Sequence, residues 1–239
     1  MKRLLLISVL VLFSSASIAS GPGNPVDSVY VNLSDQASLQ RGARLFVNYC
    51  LSCHSAAYMR YNRMGEDLGI SDAVLKENFL FASDKVGDLM LTNMSAEDAK
   101  QWFGVAPPDL TLAARVRNAD WIYTYLRSFY IDDESPSGWN NTLFENVAMP
   151  HVLYGLQGSQ RLVGIDPETQ KPEFGLVKQG AMTVEEYDDA IRDLTNFMVY
   201  LAEPIKLKRH TIGVFVIAFL IILFILAYFL KKEYWKDVH

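Results

Sequence analysis

The chain carries YCLSCHS at residues 49–55, where Cys50, Cys53 and His54 fill a C-x-x-C-H pattern. Two thiols so spaced, followed at once by an imidazole, can add to the two vinyl groups of one haem while the histidine reaches the iron from the same segment. A tetrahedral zinc site needs two further ligands, and the 2 cysteines of the sequence are both already in the motif. A C-x-x-C redox pair belongs in a βαβ context, which the flanks do not offer. A disulfide is the ordinary expectation for an exported chain, but the tight spacing and the adjoining histidine favour covalent haem.

Export is read from the N-terminus. Lys2 and Arg3 precede an apolar run at residues 4–13, and SSASIAS then places Ser17 and Ala19 at the small-residue cleavage positions, so residues 1–19 are expected to be a signal peptide. A second apolar run, IGVFVIAFLIILFILAYFL at residues 212–230, contains no charge. At about 1.5 Å per residue a helix of this length spans the hydrocarbon core, which predicts a single transmembrane anchor over residues 206–231. Lys206, Lys208 and Arg209 before it balance Lys231, Lys232 and Lys236 after it, so flanking charge does not orient it. The signal peptide does: residues 20–205 cross first, leaving residues 232–239 as a cytoplasmic tail. The expected place is a bacterial inner membrane, crossed once, with the haem domain on the periplasmic side.

With 239 residues and 50% apolar content, the chain suits one sizeable domain plus these appendages. Residues 20–205 hold 25 acidic against 14 basic side chains. Such a surface argues against a nucleic-acid partner and would steer a basic soluble protein toward it, although solubility alone also accounts for it. The run DDE at residues 132–134 and the cluster Glu185, Glu186, Asp188 and Asp189 are candidate docking charges, with plain solvated faces as the alternative.

Helical periodicity frames the motif. Leu39, Ala43, Phe46 and Cys50 fall on one helix face, with Ser34 or Asp35 as cap and Gly42 permitting a close helix approach. Val184, Tyr187, Ile191, Leu194, Met198 and Leu201 make a second stripe, opened by a Thr183–Glu186 capping box and a Met182–Tyr187 staple. Pro204 ends or kinks that helix. Between the two, GVAPPDL, ESPSGWNN and residues 155–180 read as loops, with no internal repeat. The predicted fold class is an all-α c-type cytochrome domain with long loops, plus one C-terminal transmembrane helix.

The ligand on the far side of the iron is less constrained. His210 and His239 lie at or beyond the membrane span, Met59 and Met64 follow His54 too closely, and Met182 and Met198 read as staple and core residues. Met90 and Met94 stay open. Met149, in the AMPH loop stiffened by Pro150, stands out, with His151 as its neighbouring competitor. A methionine ligand raises the potential and suits an electron carrier.

Together the CLSCHS site followed by Tyr58 and Tyr61, the APPDL segment at residues 106–110 with Arg115 and Arg117 downstream, the AMP loop, the AEP at residues 202–204 and the C-terminal anchor resemble the cytochrome c1 family. These are the haem subunits of quinol-cytochrome c reductase (bc1) complexes. The resemblance implies one covalent haem c, thioether bonds at Cys50 and Cys53, axial His54 and Met149, Pro108 packed near the haem and Arg117 paired with a propionate. His151 stands where many members have a second proline. The implied function is electron transfer from a Rieske iron-sulfur protein to a soluble or membrane-bound cytochrome c, beside cytochrome b and membrane lipid, with no substrate site of the chain's own. The rivals are an independent anchored cytochrome c feeding an oxidase, and a haem enzyme or gas sensor with an open sixth site.

Overall fold

The helix that leads into the motif begins at Asp35 rather than Ser34. The Asp35 carboxylate accepts the Ser38 N–H at 3.0 Å, satisfying one of the donors that a helix start leaves free. In the computed structural model, which describes residues 25–237, the expected signal peptide lies outside the described residues. The helices are α1 (Gln36–Leu45), α2 (Tyr61–Leu68), α3 (Asp72–Asn78), α4 (Ala96–Phe103), α5 (Ala113–Arg117), α6 (Ala119–Arg127), α7 (Tyr154–Gln157), α8 (Val184–Ala202) and α9 (Lys206–Tyr234). The strands are β1 (Ala56–Arg60), β2 (Leu89–Met90), β3 (Phe129–Ile131), β4 (Trp139–Asn141), β5 (Gly158–Ile165) and β6 (Pro172–Gln179).

The two predicted stripes meet. Leu39, Ala43, Phe46 and Cys50 are all buried, and so are Tyr187, Ile191, Leu194, Met198 and Leu201 of α8. Val184 is 70% exposed, so the second stripe starts at Tyr187. Thr183 and Glu186 form the expected capping box. Gly42 marks the crossing: a side chain there would collide with the Asp193 carbonyl oxygen and the Phe197 side chain, so only glycine lets the backbones approach this closely. Just past the crossing, the Phe46 and Phe197 rings lie 5.5 Å apart. Arg41 clasps the buried Asp193 carboxylate through Nε at 2.5 Å and Nη2 at 3.1 Å, so the acid inside the contact is paired.

The domain is not all-α. Three antiparallel two-stranded sheets join β1 to β2, β3 to β4 and β5 to β6. The largest, β5–β6, lies inside the stretch read above as loop. Both of its faces meet solvent over much of their length: Val163 is 67%, Ile165 60% and Leu176 59% exposed. An alternation of apolar and polar residues arises only where one face is buried, so the usual strand signature is missing.

Pro204 separates α8 from α9, which runs from Lys206 to Tyr234 and carries no residue buried against the domain. It is long and apolar enough to cross a membrane and continues a few residues past the expected anchor boundary.

Candidate haem site

α1 does not run straight into the motif. Residues Phe46–Cys50 form a π-helical turn, closed by the Leu51 N–H on the Phe46 carbonyl at 3.0 Å. Such widened turns recur at functional sites. The chain then folds back sharply, with Cys53 and His54 both donating N–H to the Cys50 carbonyl, at 3.0 and 2.7 Å. Both thiols are free. Burial, helped by the neighbouring Cys53, pushes the Cys50 thiol up to about 12.

His54 is only 8% exposed, and its Nδ1 lies 2.7 Å from the Pro108 carbonyl oxygen. A carbonyl only accepts, so Nδ1 carries the proton and Nε2 keeps its lone pair. Burial holds the imidazole below its ordinary range, and the Pro108 contact and Asp109 only partly offset this. The proline loop is itself tied down. Leu110 N–H donates to the Ser55 carbonyl at 2.8 Å, and the Asp109 carboxylate accepts the N–H groups of Ala57 at 2.7 Å and Thr111 at 2.8 Å.

These segments wall a cavity of about 530 Å³. Cys50, Cys53, His54, Pro108, Arg117 and Met149 all line it, so the six residues singled out in the sequence converge on one space. The Arg117 guanidinium lies 4.9 Å from the Trp121 ring centroid and 6.0 Å from that of Phe144, and pairs with no carboxylate among the described residues. Met149 comes from the irregular segment after β4, and its sulfur accepts a hydrogen bond from the Tyr125 hydroxyl at 3.4 Å.

The competitors lie elsewhere. His151 is 2% exposed, stacked on Phe129 with centroids 5.1 Å apart and edge-on to Trp139, and is absent from the cavity wall. Burial pushes its imidazole down to about 4. Met90 is fully buried where β2 pairs with Ala56, and Met94 does not reach the wall. Met198, read above as a core residue, is buried and also lines the cavity. Sequence reading missed Trp121 and Tyr125, whose i, i+4 spacing on α6 was the available signal.

The sequence pattern of the Cytochrome C1 family matches residues 28–238. The chain belongs to the cytochrome c1 family. It is 52% identical to a cytochrome c1 of Allochromatium vinosum over 100% of both chains. It is also 47% identical to a protein of Nitrosomonas europaea named ammonia monooxygenase gamma subunit, over 100% of this chain and 99% of that one. A chain of a hyperthermophilic respiratory Complex III aligns with 100% of this chain and 98% of its own at 16% identity, with a TM-score of 0.47. As a cytochrome c1 family member the chain carries one covalently bound haem c and is an electron-transfer subunit of a bc1 complex. The site fits that group: two free thiols, one buried neutral imidazole with Nε2 unprotonated, and a thioether share an apolar cavity.

Proposed function

We propose that Cys50 and Cys53 would hold haem c through thioether bonds, and that His54 Nε2 and Met149 Sδ would ligate its iron. The observation that carries this is the convergence of the His54 ring, locked by Pro108, and the Met149 sulfur on one cavity that His151 does not reach. Bound haem supplies a one-electron ferric/ferrous couple. The protein's part is to hold the ligands and exclude water. Pro108 fixes the imidazole and its tautomer, Arg117 offers a planar fork for a propionate at the cavity rim, and the apolar wall keeps the site dry.

The electron arrives from the Rieske protein and leaves to a soluble or membrane-bound cytochrome c on the periplasmic side, with α9 anchored in lipid and its C-terminal end in the cytoplasm. The acidic surface favours a basic acceptor. Much of the suggested docking charge has other work. Asp132 accepts from Asn140 and Glu134, Asp133 pairs with Arg161, Glu186 closes the capping box, Asp188 pairs with Arg127 and Asp189 with Arg192. Glu134 and Glu185 carry no ion pair among the described residues and are the better docking candidates.

Affinity purification from membranes tests the assembly. A b-type cytochrome and a Rieske protein should copurify in fixed ratio, and a haem protein that purifies alone would contradict the reading. Brief CO exposure of the reduced protein should leave its spectrum unchanged, because an open sixth position would bind CO readily.

A further inference from the structure

The Tyr125 hydroxyl donates to the Met149 sulfur at 3.4 Å and makes no other hydrogen bond among the described residues. Its ring is held on two sides, stacked on Trp121 with centroids 4.8 Å apart and 11° between planes, and edge-on to Phe129 at 5.1 Å and 70°. Its backbone carbonyl accepts from the Nδ2 of the fully buried Asn141 at 2.8 Å. Phe129 in turn stacks on His151 with 6° between planes. The α6–β3 unit thus grips the ligand loop at two points, the sulfur through Tyr125 and the imidazole two residues on through Phe129. A thioether sulfur has two lone pairs, so one can bind iron while the other accepts a hydrogen bond.

We propose that Tyr125 is a positioning residue for the sixth ligand: its hydroxyl orients the Met149 sulfur and draws electron density from it, raising the reduction potential of the haem. This rests on Met149 being an axial ligand. A sulfur that gives up density to a donor is a poorer donor to iron, and ferric iron loses more by this than ferrous iron does.

The experiment is a redox titration of the haem c absorbance in the intact complex, wild type against Tyr125→Phe, with the near-infrared methionine-to-ferric-iron band recorded in both. The phenylalanine variant keeps the ring stack and removes only the donor. At a fixed ambient potential its oxidised-to-reduced ratio should rise roughly threefold to tenfold, where tenfold is about 59 mV for one electron, with the band retained. A retained band with an unchanged ratio overturns the proposal. A wild type without the band overturns the Met149 assignment and the proposal with it. Should the variant fail to assemble, 3-fluorotyrosine placed at position 125, a stronger donor of nearly the same shape, should shift the ratio the opposite way. No shift there also overturns the proposal.

Discussion

His54 donates its Nδ1–H to the Pro108 carbonyl oxygen at 2.7 Å, tying the C-x-x-C-H turn to a loop 54 residues further along the chain. The bond fixes the tautomer and aims the bare Nε2 into the cavity. Pro108 has no N–H of its own to compete, and Asp109 next to it anchors the loop to the backbone after the motif.

Replacing Asp109 with alanine leaves the Ala57 N–H to solvent and frees the N–H of the buried Thr111. The expected cost is about 1 kcal/mol of domain stability, with haem still attached. Denaturant unfolding of the haem-loaded domain followed at the haem absorbance checks this. A midpoint equal to that of the wild type would mean that the loop is held by other contacts.

Gly42→Ala places a methyl group against the Asp193 carbonyl and the Phe197 side chain, where neither backbone can yield cheaply. We expect a loss of roughly 1–3 kcal/mol and reduced levels of assembled subunit. Gly87→Ala, at a position open on all sides, serves as the control and should change little.

Burial raises the Asp27 carboxyl, but the Lys171 hydrogen bond at 2.5 Å and the nearby Arg127 outweigh it, leaving the group below its ordinary value. A folded-state value below the unfolded one gives stability that is present above the unfolded value, near 3.9, and fades as pH falls through the folded one. The melting temperature of Asp27→Asn should therefore be less sensitive than that of the wild type to acidification below about pH 4. Because the Asp27 side chain is 34% exposed, the difference should shrink in high salt. Parallel melting curves at every pH would contradict the pairing.

Reversing Glu134 and Glu185 together to lysine should slow electron transfer to a basic cytochrome c at low ionic strength and flatten its salt dependence. Both side chains lie outside the ion-pair network, so the fold should tolerate the change. An unchanged rate at low salt would remove these two charges from the docking surface.

The helical frame was legible because α1 and α8 each bury one face and leave the other wet, the condition under which periodicity appears in sequence. The haem wall was legible where chemistry demands particular residue types, at Cys50, Cys53 and His54. Met149 stood out among the methionines with His151 still its competitor, and Pro108 and Arg117 emerged only with the family likeness. The β5–β6 hairpin escaped because neither face is fully buried, and its Asp166–Pro167 turn signal stood alone within a Gly-rich stretch. Tyr125 escaped because a tyrosine among the aromatics of ADWIYTYLR looks like core packing, and only the tertiary placement of Met149 gives its hydroxyl a partner.

The near-infrared spectrum of the oxidised protein, wild type beside Met149→Leu, tests the central assignment most directly. A weak methionine-to-ferric-iron band should be present in the wild type and absent from the variant, which should also acquire CO binding in the reduced state. Persistence of the band in Met149→Leu would contradict the account and move the sixth ligand to another methionine, with Met198 on the same cavity wall the first to test.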